Sequence, residues 1–212
     1  MAPSPVVRIT SLTSSEVSEI AALASKAMAG SPSREAMLGG NLALSDEYYA
    51  AVVRATLHEG EAYAVKEDGR FVSVALWFEM KNPLFATEAQ RALGFDELFK
   101  KISPEVQHWW THTYPEAIDK WQAQIFTPEE NARLTWCYML ATEETHQNRG
   151  LARSSVDTWY DKATERGQLV GLAADSDLNA RKYVSMGFRE RGRTVIDDPT
   201  IDGVLCISMS KD

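Results

Sequence analysis

The spacing of apolar positions switches repeatedly between two and three-to-four, and each switch marks an element. A short alternating segment at Val6–Ile9 predicts a strand. Thr13-Ser-Ser-Glu16 then has the form of a capping box, in which threonine and glutamate each satisfy a helix-terminal N–H that has no partner in the helix. Val17, Ile20, Ala21, Ala24, Ala27 and Met28 continue from it along one helical face, which Gly30 and Pro32 end. A second helix is predicted over Asp46 to His58, with Tyr49, Val52, Val53 and Leu57 facing inward and Gly60 as its stop. The link between these helices, Ser31 to Ser45, holds glycine and few large apolar residues. It reads as a segment able to order on ligand binding.

Alternating, β-rich runs at Ala62–Lys66 and Phe71–Phe78 flank Asp68-Gly69, the turn pair most typical of a tight hairpin. From Lys81 to Arg133 the pattern changes. Prolines at 83, 104, 115 and 128 divide the stretch into short helical pieces, and its aromatics read as an insertion packed against the sheet rather than a separate domain. An apolar run, Trp136 to Thr142, then leads through a polar loop into Gln147-Asn-Arg-Gly150-Leu-Ala152, which opens a helix running to Arg166. Leu169–Ala174 is a buried strand and Asp175 to Asn179 caps a short helix that stops at Gly187-Phe188. Strands at Phe188–Val195 and Val204–Met209 close the chain. The order is β-α-α-β-β-(insert)-β-α-β-α-β-β.

The turn at Gly150 has the physics of an anion site. A helix opening there leaves its first N–H groups unpartnered at the positive end of the macrodipole, and phosphate suits such a terminus. Gly150 allows positive φ and close approach, Ala152 is small, and Arg149 and Arg153 add full charges. An ordinary strand–loop–helix connection with solvated arginines explains the same residues.

Composition narrows the class. At 212 residues, 44% hydrophobic and 25% charged, the chain can bury a sizeable core as one domain over 1–212 with room for an insertion. No apolar run reaches membrane-span length, and Met1-Ala-Pro-Ser-Pro5 lacks the basic and apolar regions of a signal peptide, so a cytoplasmic protein with no membrane partner is expected. Cys137 and Cys206 lie in strand-like runs and read as buried free thiols. A net charge of −8 argues against nucleic acid as a partner and mildly favours a cationic ligand.

The residues from Tyr138 to Ala152 carry a resemblance. Tyr138-Met-Leu140-Ala141-Thr142, four residues, then Gln147-Asn148-Arg149-Gly150-Leu151-Ala152 is similar to the acetyl-CoA motif of the GCN5-related N-acetyltransferases, an apolar strand followed by Gln/Arg-x-x-Gly-x-Gly/Ala. Asn179, Tyr183 and Gly187-Phe188 resemble that family's next motif, in which a helix ends in Tyr-x-x-x-Gly-Phe. Two positions depart: Glu144 stands where proline is usual, and Ala152 where the last glycine is. Within the family, the Trp77-Phe78 strand end, the insertion and the tryptophan of the fourth strand look most like the puromycin acetyltransferase type. The resemblance implies an α/β fold with a mixed, mostly antiparallel seven-stranded sheet, splayed between its fourth and fifth strands, flanked by helices and carrying a helical insertion after the third.

It also implies roles. Acetyl-CoA would lay its pyrophosphate on the N–H groups from Asn148 through Gly150 and Leu151 to Ala152, near Gln147 and Arg149, and its pantetheine along Leu140, Ala141 and Thr142. Asn179 would contact the pantetheine arm, although it reads equally as a helix cap. Tyr183 is the family's acid toward the departing thiolate, with half-buried packing as the alternative, and an N–H near Ala141 or Thr142 would stabilise the oxyanion. Glu143 is the named base, with Glu144 and Glu79 as other carboxylates nearby. Trp77, Trp109 and Trp110 are candidate walls for an acceptor, or core. His108 and His112 have helical ligand spacing without the glutamate of a zinc-protease motif, so no metal is expected. The expected activity is acetyl transfer to a small-molecule amine by a monomer or homodimer. A protein or peptide N-acetyltransferase and a catalytically silent CoA-binding domain are the alternatives.

Overall fold

The computed structural model describes residues 5–212, so the first four positions of the Met1–Pro5 start lie outside the described residues. Strand β1 (Val6–Ile9) leads to helix α1 (Ser14–Ala27), and the capping box forms: Thr13 Oγ1 accepts from Glu16 N–H at 3.2 Å while Thr13 N–H donates to Glu16 Oε2 at 3.0 Å. Such a cap stabilises a helix by about 1 kcal/mol. The expected link from Ser31 to Ser45 is instead structured. Ser31 caps a helix α2 (Pro32–Met37), and a 3-10 turn (Leu42–Leu44) runs into α3 (Ser45–Glu59). Pro32, read as a stop for the preceding helix, is also well placed as the first residue of the next, where its fixed φ fits and its missing N–H costs nothing.

Strands β2 (Glu61–Glu67) and β3 (Arg70–Glu79) pair as the predicted hairpin, with Asp68 and Gly69 both left-handed at φ 49° and 79°. Short helices α4 (Glu88–Arg91), α5 (Phe95–Phe99), α6 (Pro104–His108), α7 (Tyr114–Ile125) and α8 (Pro128–Ala132) make up the insertion, and a π-turn over Trp109–Thr113 joins α6 to α7. Then follow β4 (Leu134–Thr142), α9 (Leu151–Glu165), β5 (Leu169–Ala174), α10 (Asp177–Ser185), β6 (Arg189–Ile196) and β7 (Val204–Lys211).

The seven strands form one sheet in the order β1-β2-β3-β4-β5-β7-β6, antiparallel throughout except for the β4–β5 pair. β3 is buried on both faces, and its period of two divides the core. Val74, Leu76 and Phe78 face α1 and α3; Ala75 and Trp77 face α9, which answers with Val156, Trp159 and Ala163. Trp77 stacks on Trp159 with ring centroids 5.4 Å apart and has no exposed surface. Burying a ring of that size contributes on the order of 4–6 kcal/mol. Trp77 is therefore core, not the acceptor wall expected of it.

Two features of β4 position the site. Leu76 pairs with Met139 and Trp77 with Cys137, which leaves Tyr138 as the extra residue of a β-bulge. The bulge turns two successive side chains, Tyr138 and Met139, toward the α1–α3 side. The parallel pairing with β5 ends beside it, at Cys137 and Leu172, although both strands continue. From that point they splay, as the resemblance implied.

Candidate active site

The splay opens a cleft of about 220 Å³. Its floor is β4 from Trp136 to Leu140 and β5 from Leu172 to Ala174. Met28, Ser31, Arg34 and Met37 close one side with Tyr48 and Tyr49 of α3, while Asn179 and Tyr183 of α10 form the other. Tyr114 of α7 and Val204 to Cys206 of β7 complete the lining.

Backbone groups along β4 alternate between its two neighbours. Glu143 N–H donates to Val72 O, and Ala141 O accepts from Ser73 Oγ, so residues of that parity address β3. The backbone groups of Leu140 and Thr142 consequently face the gap left by β5, and Thr142 O there accepts Gln147 Nε2 at 3.3 Å. This corrects the expectation for Ala141, whose N–H is turned toward β3 and is no oxyanion donor. Leu140 and Thr142 remain.

Beyond β4 the chain makes a 3-10 turn (Glu144–His146) and reaches α9 through two left-handed residues, Asn148 at φ 60° and Gly150 at φ 80°. Gly150 is the N-cap and no side chain caps the helix, so the first N–H groups of α9 point outward at its positive end. Arg149 does not point at an empty turn. Its guanidinium makes two hydrogen bonds to Glu67 of β2, at 2.7 and 3.0 Å. Arg153 donates to Ser185 O on α10.

The side chains named in advance divide clearly. Tyr183 and Asn179 line the cleft. Burial holds the Tyr183 phenol well above its ordinary pKa, with Cys137 and Asp175 nearby adding to the effect, so it stays protonated at neutral pH. Asn179 is not the cap of α10; that is Ser176 Oγ, and Asn179 Nδ2 donates to Asp175 Oδ1 at 3.0 Å. Glu143 lies outside the cleft, past the end of β4, with an oxygen 2.9 Å from His146 Nδ1. Trp109 and Trp110 do not line it either. Their indole N–H groups tie the insertion to neighbours instead, Trp109 to Asp197 O in the β6–β7 loop and Trp110 to Met37 O at the end of α2. They brace the wall from behind, and Tyr114 is the aromatic that the insertion presents. His108 and His112 stack with centroids 4.4 Å apart. Among the described residues no cluster of three or more His, Cys, Asp or Glu is arranged to hold a metal ion, and no helix is long and apolar enough to cross a membrane.

Sequence reasoning missed Ser31, Arg34 and Asp175. Asp175 looks like part of a helix cap, yet its place just past a strand that splays from its neighbour marks it as a cleft residue. Its second oxygen accepts Ser31 Oγ at 2.6 Å, joining α2 to the end of β5. Burial also pushes the thiols of Cys137 and Cys206 up to about 12, which leaves them inert at neutral pH.

No protein-family model matches the chain, and no curated protein matches it in sequence. Solved structures do match it in shape. Arylalkylamine N-acetyltransferase 2 from Aedes aegypti is 16% identical at a TM-score of 0.60, over 97% of this chain and 98% of that one. The ribosomal-protein-S18-alanine N-acetyltransferase from Escherichia coli is 12% identical at 0.54, over 98% and 93%. A GCN5-related N-acetyltransferase from Rhodopseudomonas palustris, also described as a class-II aminotransferase, is 11% identical at 0.54, over 100% and 97%. At such identities the likeness speaks for architecture, and the seven-stranded sheet parted between β4 and β5 is that of the GCN5-related N-acetyltransferase fold.

Proposed function

We propose that this protein is an acetyl-CoA-dependent N-acetyltransferase that acetylates the amine of a small molecule by direct attack, with the whole chain serving as one domain. The observation that carries the reading is the β4–β5 gap. It opens at a bulge, exposes the backbone of Leu140 and Thr142, runs out to a bare helix N-terminus at Gly150, and has Tyr183 in its wall. That donor set fits a long ligand with phosphates at one end and an extended amide-bearing arm at the other.

When bound, acetyl-CoA supplies a thioester carbonyl and a leaving thiol of pKa about 8.5. The N–H groups of Asn148, Gly150, Leu151 and Ala152 hold its pyrophosphate beside Gln147, and Arg149 joins them by exchanging Glu67 for phosphate. Leu140 and Thr142 pair with the pantetheine amides as an added strand would, and the side-chain oxygen of Asn179 reaches the same arm. Tyr183 donates a hydrogen bond to the departing sulfur. Its raised pKa makes full proton transfer to a thiolate uphill, so the phenol stabilises that sulfur while solvent provides the proton. Glu143, outside the cleft, is not the base, and the amine loses its proton to water.

The cleft is smaller than the roughly 300–1,000 Å³ of sites for drug-sized ligands, and the Ser31–Asp175 bond closes one side of it. Both features favour a small acceptor over a protein terminus. The finer likeness to the puromycin acetyltransferase type rests on the helical insertion and on Trp136 in β4. We place the protein in the cytoplasm as a monomer or homodimer. Calorimetry with acetyl-CoA, followed by thiol release across an amine panel, tests the reading. Absence of binding at millimolar acetyl-CoA overturns it; binding without thiol release from any amine favours a silent CoA-binding domain.

A further inference from the structure

Among the described residues the cleft is lined by two charged side chains, Arg34 and Asp175, of opposite sign. They do not neutralise each other. Asp175 takes Ser31 Oγ on one oxygen and Asn179 Nδ2 on the other, both neutral donors, so neither bond pairs it with a cation. Arg34 sends Nη1 to Ser25 O at 2.9 Å, and its Nε is buried with no hydrogen-bond partner. A buried N–H of a guanidinium without an acceptor is costly, and a ligand is one way to satisfy it.

Ser31 Oγ donates to Asp175 and, as the N-cap of α2, accepts from the backbone N–H of Arg34 at 3.4 Å, and the Tyr49 phenol, kept protonated chiefly by burial, lies in the field of both charges. What holds them apart is the fold: Arg34 is tied back to the end of α1, and Asp175 is braced by α10. Besides Ser31, Ser33 and Asn179, the rest of the lining is aromatic and apolar, with Tyr48, Tyr49, Tyr114 and Trp136 among it.

We propose that the acceptor is a zwitterion, a small aromatic or apolar α-amino acid, with its carboxylate on Arg34 and its ammonium at Asp175. The assignment rests on the acetyltransferase reading above. Nε and an adjacent Nη form the two-pronged donor that matches a carboxylate, and the unpartnered Nε is one prong of it. Asp175 orients the nitrogen beside the mouth of the splay. The ammonium yields one proton to water, its lone pair forms the N–C bond as the thioester C–S bond breaks, and a second proton leaves the nitrogen. The sulfur takes up one proton, so each turnover gives an N-acetyl amino acid, a thiol and one released proton.

Phenylalanine, tyrosine and leucine, each against its decarboxylated amine, form the test, because each pair differs only in the carboxylate. The wild-type protein should favour the amino acid in kcat/KM by at least about tenfold, the return expected of one charge-assisted pair. With CoA present, calorimetry should show the same order of affinity. Arg34→Gln should remove that preference by lowering the amino-acid value and leaving the amine within about twofold, with Arg34→Lys intermediate since it keeps charge but not the fork. Asp175→Asn should weaken both members of each pair by about tenfold while acetyl-CoA binding holds. A wild-type preference for the decarboxylated amines, or an equal loss on both in Arg34→Gln and Arg34→Lys, overturns the zwitterion assignment and leaves the acetyltransferase reading standing. Failure to bind acetyl-CoA overturns both.

Discussion

Gly171 offers a direct test of how the mouth of the cleft is built. It pairs with Trp136 in the β4–β5 ladder, one position before the pairing ends. A Cβ added there would sit 2.6 Å from Trp136 Cε3, 2.7 Å from Cζ3 and 2.9 Å from Leu134 Cδ1. The backbone of Gly171 is not left-handed, so alanine carries no φ penalty and the whole effect is packing. An ordinary contact begins near 3.4 Å, so the indole must retreat by about 0.8 Å. Phe126 stands edge-on to it with centroids 6.5 Å apart, and the open side is the cleft itself. Overpacking of this kind costs about 1–3 kcal/mol. For a domain of about 200 residues each kcal/mol lowers Tm by about 2–4 °C, so Gly171→Ala should melt about 2–12 °C early. Displacement of the ring into the cleft should raise the acceptor KM, whereas the acetyl-CoA Kd should hold because the turn proposed to hold the phosphates, Asn148 to Ala152, lies beyond the far end of β4. Trp136→Phe removes the clashing part of the indole, so Gly171→Ala combined with Trp136→Phe should melt above the sum of the single changes. A melt within about 1 °C of wild type, or strict additivity in the double variant, refutes the wedge.

Three further outcomes follow from the same geometry. Gly150→Ala meets no neighbouring atom but must hold φ near 80°, which costs about 1–2 kcal/mol for an L-residue; titration should show acetyl-CoA binding weakened about 5- to 30-fold, with kcat at saturation little changed. Tyr183→Phe should lower kcat about 10- to 150-fold, the return of a hydrogen bond to a developing charge, while leaving the acetyl-CoA Kd within about twofold; unchanged kcat at every pH would remove Tyr183 from the reaction. The thiols of the buried Cys137 and the half-buried Cys206 give a pH window. Cys137 and Cys206 have folded values raised to about 12, so their contribution to stability is complete below the unfolded thiol value of about 8.5 and is lost as pH rises toward 12. Tm should fall across that range, and the fall should shrink in a variant with both cysteines replaced by alanine.

The parts of this fold that were legible in sequence depend on near neighbours in the chain. Thr13 and Glu16 are three residues apart, Asp68 and Gly69 are adjacent, and the strand, turn and helix of the proposed phosphate end are contiguous from Leu140 to Ala152. The parts that were not legible fail for identifiable reasons. β3 is apolar on both faces, so alternation could not say which side received Trp77. Trp136 to Leu140 is likewise apolar throughout, and an extra residue at Tyr138 leaves no mark on an all-apolar pattern even though it decides which N–H groups face the gap. Arg34 and Asp175 come to one cleft only in the fold, where Ser31, the cap of α2, reaches Asp175 across a sequence separation of 144. The proposed phosphate end of the cleft is thus one local unit, and the proposed acceptor end is assembled from α2, α3, α7, β5, β7 and α10. Under the proposed reading such a division separates the two affinities physically: substitutions at Arg34 or Asp175 should act on what is acetylated without touching the turn proposed to hold the donor, and substitutions at Gly150 should act on the donor without reaching the acceptor.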